Sequence, residues 1–248
     1  MTNIPVDPLV IIELTNLKAA GKCEELAKHP ALGLKPEWMG DLVKNDNFYV
    51  RSALASNKAL SASPEAARAL ASSEHWLIRR TLAQNPALAN HPEVIEQLST
   101  DGEPVIREAL ALNPGLSSHP NTIRNFSADK NYHVRWLLAS NPAIAIDPET
   151  IKTLSKDRSE SVRSALASNP AIANYPEIVK NLSASKCSSI RRHLAESPIL
   201  ANFPDVVKQL ATDENSWVSE ALARNPATHT ASTNSWQPTQ PAMQVPTI

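Results

Sequence analysis

The segment Pro92–Asn113 reads PEVIEQLSTDGEPVIREALALN, and its apolar residues fall in two groups with helical spacing. Val94, Ile95 and Leu98 form one stripe, Ile106, Ala109 and Leu110 a second, and Asp101-Gly102 breaks the chain between them. Pro92 suits a first helical turn, where its missing N–H has no partner to lose, and the helix dipole favours the acidic Glu93 behind it. A first helix of about ten residues from Pro92 is therefore expected, and a second from around Pro104. The second ends at Asn113, because Pro114 cannot continue it and pushes its predecessor out of the α region. A short 3₁₀ turn is expected in the NPxL segment that follows. No strand-like alternation is present.

The same pattern returns every 28 residues. One proline column reads Pro30, Pro86, Pro114, Pro142, Pro170, Pro198 and Pro226, with Lys58 in the one missing place. A second reads Pro36, Pro64, Pro92, Pro120, Pro148, Pro176 and Pro204. Asparagine precedes most of the first column (Asn57, Asn85, Asn113, Asn141, Asn169 and Asn225), with His29 and Ser197 as variants. A small column holds Ala55, Ala83, Ala111, Ala139, Ala167, Ala195 and Ala223, which would let successive second helices approach closely. A pair of short helices cannot bury its apolar face alone, so neighbouring pairs must stack. The reading is an all-α solenoid of seven helix pairs over residues 31–226, with capping helices in residues 1–30. At about 8–10 Å per stacked helix it would be a curved rod roughly 60–70 Å long. Residues 227–248 contain no Asp, Glu, Lys or Arg and are expected to be a disordered tail.

Composition changes this picture in one respect. The chain has 248 residues, 42% hydrophobic, with Pro 20 against Gly 5. Such a proline excess alone suggests low complexity, but fourteen of the twenty fall in the two columns and punctuate helices. Lys+Arg 24 against Asp+Glu 25 gives a net charge of -1, which counts against a strongly basic nucleic-acid binder. Cys23 and Cys187 have no metal-ligand spacing, so neither a disulfide framework nor a metal site is expected, and a reducing compartment fits. No apolar run approaches the roughly 20 residues of a membrane span, and Met1–Leu14 lacks the basic start of a secretory signal. A cytoplasmic, monomeric chain is the expectation.

Val162-Arg163, Leu166-Ala167, Asn169-Pro170 and Pro176-Glu177 belong to a recurring VRxxLAxNPxLxxxPExxxxLAxD. This pattern resembles the leucine-rich repeat variant family and, more broadly, the HEAT-like α-solenoids, over roughly residues 22–226. The resemblance implies a right-handed α-solenoid of 28-residue helix pairs that serves as a scaffold for partners. A described member of the variant family carries a cysteine-ligated iron–sulfur cluster near its N-terminus. The clustered cysteines are missing here, so no cofactor is carried over. In HEAT repeats an Asp six residues before an Arg helps form a ladder between repeats, and Asp101–Arg107, Asp129–Arg135 and Asp157–Arg163 match that spacing. Asn45, Ser73 and Ser185 replace the acid before Arg51, Arg79 and Arg191, which are therefore expected to be unpartnered. Ser219 replaces the arginine after Asp213 and would mark the terminal repeat.

Several columns carry candidate chemistry. The arginines could form a phosphate-binding stripe; the simpler reading is the structural ladder. The asparagines are expected to terminate helices by bonding loop backbone groups. Outward positions of the second helices read Phe48, Trp76, Pro104, Tyr132, Glu160, Ser188 and Ser216, then Ser52, Arg80, Glu108, Trp136, Ser164, Arg192 and Glu220. Aromatics gather at Phe48, Tyr49, Trp76, Tyr132 and Trp136, and with Arg80 they have the composition of an interface hot spot. Packing against adjacent loops is the alternative. Arg68, Glu96, Arg124, Lys152, Lys180 and Lys208 form a mostly basic strip that reads as a solvated outer face. His91 and His119 share the pre-proline column with Ser63 and Asp147, where a helix N-cap belongs; a metal pair there is the remote alternative. HExxH, GxGxxG, P-loop and GxSxG motifs are all absent. A non-catalytic protein-interaction scaffold is expected, binding an unidentified protein through a concave face of second helices. The alternative is nucleic-acid binding, as in the HEAT-like DNA glycosylases, with Arg79-Arg80 and Arg191-Arg192 as local basic patches. A hydrolytic enzyme on this scaffold would need a carboxylate in an aromatic pocket, and no residue stands out for it.

Overall fold

A computed structural model describes residues 8–228, and every regular element among them is helical. Helices α1 (Pro8–Ala19) and α2 (Cys23–Lys28) come first. Pairs of helices follow: α3 (Pro36–Val43) with α4 (Phe48–Ser56), α5 (Pro64–Ala71) with α6 (Trp76–Ala83), and α7 (Pro92–Ser99) with α8 (Pro104–Ala111). Next are α9 (Pro120–Ser127) with α10 (Tyr132–Ser140) and α11 (Pro148–Ser155) with α12 (Glu160–Ser168). The last pairs are α13 (Pro176–Ser183) with α14 (Ser188–Glu196) and α15 (Pro204–Ala211) with α16 (Ser216–Ala223). Five-residue 3₁₀ segments, from Pro30–Leu34 to Pro198–Asn202, lead into each first helix.

Proline places the start of each first helix, while α4 ends in the same way with Lys58 where the other pairs have proline. The residue ahead of each helix-opening proline is held out of the α region, as at Ser63 (φ −135°, ψ 89°) and His91 (φ −129°, ψ 71°). Ser63 and Asp147 then cap their helices by accepting from the amides of Ala66 and Thr150. The helix at Pro92 stops at Ser99, short of the expected ten residues, because the amide of Asp101 turns back to the carbonyl of Leu98 at 3.2 Å. Helices of eight or nine residues are marginal alone, so packing must stabilise them.

The chain divides into two compact units, one up to Val162 and one from Arg163, with the division inside α12. In the first unit each second helix packs on the next: α2 on α4, α4 on α6, α6 on α8, and α8 on α10. First helices pack likewise, α3 on α5, α5 on α7, α7 on α9, and α9 on α11. In the second unit α13 packs on α15 and α14 on α16. Val94, Ile95, Leu98, Ile106 and Leu110 are fully buried, as their spacing requires. So are Ala55, Ala83 and Ala111, whose methyl groups leave room for neighbouring helices.

Among the described residues no helix is long and apolar enough to cross a membrane. Of the tail expected at 227–248, Ala227 and Thr228 are described and continue the fold. Thr228 is buried, and its hydroxyl donates to the carbonyl of Asn225 at 2.9 Å. The rest of the tail, and the first seven residues of the expected cap, lie outside the described residues.

Candidate functional site: two polar ladders and an exposed helical face

The asparagine column is a ladder between helix pairs, not only a loop terminator. Asn85 accepts through Oδ1 from the amide of Ala87 at 3.0 Å, and its Nδ2 donates to the carbonyls of Ala55 and Asn57, both at 2.9 Å. Asn57, Asn113 and Asn141 repeat this arrangement in the first unit, and Asn225 does so in the second. Each side chain thus satisfies helix-terminal carbonyls of the pair before it, groups that would otherwise be buried without partners. Ser197 is the exception: it is buried, and its Oγ has no hydrogen-bond partner.

The arginine column forms the second ladder, with a different pairing from the one the six-residue spacing suggests. Arg107 reaches forward to Asp129, with Nε 2.8 Å from Oδ2 and Nη2 3.2 Å from Oδ1. Its Nη1 donates to the carbonyl of Asp101, not the carboxylate, at 2.7 Å. Arg135 does the same with Asp157 and the carbonyl of Asp129. The aspartate six residues earlier therefore offers its own arginine a carbonyl and gives its carboxylate to the preceding pair. It also closes a turn, as where Asp129 accepts from the amide of Asn131 at 2.8 Å.

This geometry corrects the expectation that Arg79 and Arg191 lack partners. Arg79 holds Asp101 (2.7 Å) and Arg191 holds Asp213 (2.7 Å), each through a two-pronged guanidinium contact. The acid that matters stands 22 residues ahead, not six behind. Arg51 alone of the three fits the expectation. It donates from Nη1 to the carbonyl of Asn45 at 3.0 Å, Ser73 stands at the forward place, and its buried Nε has no partner. Arg163 is half-buried on α12.

The ion pairs act on their carboxyl groups. Burial works to raise Asp129 and Asp157, but the arginine hydrogen bonds and turn amides outweigh it and hold both below the ordinary range. The Arg191 hydrogen bond is the main cause of the same lowering at Asp213. The basic strip is charge-matched in places: Arg124 pairs with Asp147 at 2.8 Å, Lys152 with Glu149 at 2.8 Å, and Arg68 with Glu93 at 3.5 Å. His91 and His119 do not cap their helices. Their Nε2 atoms reach back to the carbonyls of Leu60 and Ala89. Among the described residues, no group of three or more His, Cys, Asp or Glu side chains gathers to hold a metal ion.

The five aromatics lie on α4, α6 and α10 and do not form one cluster: Phe48, which is half-buried, and Tyr49 make one group, Tyr132 and Trp136 another, and Trp76 joins neither through a ring contact. Phe48 meets Tyr49 edge-on at 5.6 Å and the His75 ring at 5.2 Å. His133 stands between Tyr132 (4.8 Å) and Trp136 (5.6 Å). Trp76 is 44% exposed, Trp136 is 37% exposed, and Arg80 is exposed without an ion-pair partner. Leu77 and Val105 widen this face and were missed by counting aromatics. They share the register of Tyr49, a signal already present in the sequence. Trp217, in the second unit, is 68% exposed and lines a cavity of about 210 Å³ with Arg192, Glu196 and Arg224. The chain matches no protein-family model and no curated protein.

Proposed function

We infer that the chain is a right-handed solenoid of 28-residue helix pairs, of the leucine-rich repeat variant or HEAT-like kind, and a non-catalytic scaffold for a protein partner. The carrying observation is the apolar face on α4, α6, α8 and α10, where Tyr49, Trp76, Leu77, Val105, Tyr132 and Trp136 stay exposed on helices packed in sequence. Large side chains left exposed on successive helices, here two separate aromatic groups with Leu77 and Val105 between them in the chain, favour a surface that a partner covers. The hydrogen bonds that recur 28 and 30 residues apart support the fold reading. The nucleic-acid alternative loses its main support, because Arg79, Arg107, Arg135 and Arg191 are already occupied by aspartates.

The test compares the wild-type chain with a Trp76→Ala/Trp136→Ala variant as crosslinking baits in cells. Loss of one specific protein from the variant's captured set, reproduced with purified components, supports the reading. Unchanged binding of that protein by a folded variant overturns it. A mobility shift of a short duplex at low ionic strength would instead favour the nucleic-acid alternative.

A further inference from the structure

Along the arginine ladder, the contact between Arg51 and the next helix pair lacks its acid. At the forward place Arg79, Arg107 and Arg135 meet Asp101, Asp129 and Asp157, whose two carboxylate oxygens bind Nε and Nη2. Arg51 meets Ser73 in that register. Ser73 keeps only the turn-closing part of the aspartate's role, its Oγ accepting from the amide of His75 at 3.3 Å. Arg51 Nη1 is fixed on the carbonyl of Asn45, as in the other pairs, so the guanidinium is held in place. Its Nε is buried and has no hydrogen-bond partner. The Arg51 side chain also lines a cavity of about 240 Å³, together with Val43, Leu70, Ser73, Glu74 and His75. That volume is ample for an acetate-sized ion.

A buried charged donor left unpaired is costly, and a guanidinium fork fits a carboxylate with two parallel hydrogen bonds. The geometry points to a binding site for a small carboxylic acid anion between α4 and the turn that joins α5 to α6, where the ligand takes the place of the missing aspartate side chain. Nε is covered in the unliganded chain, so a small opening of that contact must accompany binding; Arg51 Nε and Nη2 are then the anchoring donors, and the Ser73 hydroxyl hydrogen is free to give a third bond. Ala69 and Leu70 supply an apolar wall for a short alkyl group. Glu74 lines the same cavity without an ion pair to Arg51, so its charge works against any anion there, and against a dianion more than a monoanion.

The experiment follows the melting temperature of the full chain as sodium acetate replaces sodium chloride at constant ionic strength. A saturable rise of about 2–5 °C is expected. The Arg51 Nε–H resonance in a nitrogen-15 correlation spectrum should shift with the same midpoint. Ser73→Asp should melt above the wild type without acetate and show no acetate response, since the tethered carboxylate fills the site. Glu74→Gln should keep the response or strengthen it. The proposal is overturned if acetate leaves the wild type and its Arg51 resonance unchanged. It is equally overturned if Ser73→Asp retains the full acetate response, or if Glu74→Gln abolishes it.

Discussion

Asn113 donates from Nδ2 to the backbone carbonyl of Asn85, 28 residues earlier, at 3.0 Å. Asn85 does the same to Asn57. Every polar atom of the Asn113 amide is used, since Oδ1 accepts from Gly115 and the second N–H goes to Ala83. Asn113→Ala should cost about 2–3 kcal/mol by stranding buried backbone groups. Asn113→Asp keeps the acceptor, loses both donors and sets a negative charge against two carbonyl oxygens. It should cost at least as much at neutral pH and recover in part on acidification, when the protonated acid regains one donor. Urea melts at pH 7 and pH 4 check both.

Ser197 offers the converse test. Asparagine there would place an amide at the same offsets from the carbonyls of Ala167 and Asn169, in the second unit, as Asn225 has from Ala195 and Ser197. Ser197→Asn should stabilise the chain by about 1 kcal/mol, read as a raised denaturation midpoint with an unchanged slope.

The Arg–Asp ladder sets an acid limit. Asp129, Asp157 and Asp213 have folded pKa values below those of the unfolded chain, about 3.9 for aspartate. Their contribution is therefore complete above about pH 4 and is lost as the pH falls through the depressed folded values. An Asp129→Asn/Asp157→Asn variant should be less stable at pH 7 and lose less stability on further acidification. Stability measured between pH 7 and pH 2 gives the two slopes, and equal slopes would contradict the ladder's role.

Trp76 and Trp136 are partly exposed and hold no buried hydrogen bond. Replacing either with alanine should cost about 1–2 kcal/mol for the part of the ring that is covered, under the 3–5 kcal/mol typical of a core aromatic. A loss in the core range in a thermal melt would make them packing residues.

Much of the fold was legible in the sequence. Proline has only local rules, so its columns reported helix starts and stops directly. The apolar positions around Pro92–Asn113 reported the core for the same reason. What escaped was side-chain reach. The six-residue spacing of Asp101 and Arg107 looks like a pair, yet stacking aims the guanidinium at Asp129 and leaves Asp101 to serve Arg79. Asn85 was legible as a helix stop, but its grip on Ala55 and Asn57 depends on where the preceding pair lies in space. Tyr49, Trp76, Tyr132 and Trp136 were legible as outward-facing, while Phe48 is half-buried against His75. Their division into a Phe48 group and a Trp136 group depends on how far apart successive helices hold them.

Asp129 takes the arginine behind it with its carboxylate and its own arginine with its carbonyl. Each such helix pair thus carries a socket at one end and a matching plug at the other. A chain lengthened or shortened by one whole pair closes the same bonds at the new junction. A change of any other length leaves a charged group there without its mate. The Arg–Asp ladder in this sense accepts whole helix pairs and rejects fragments of one.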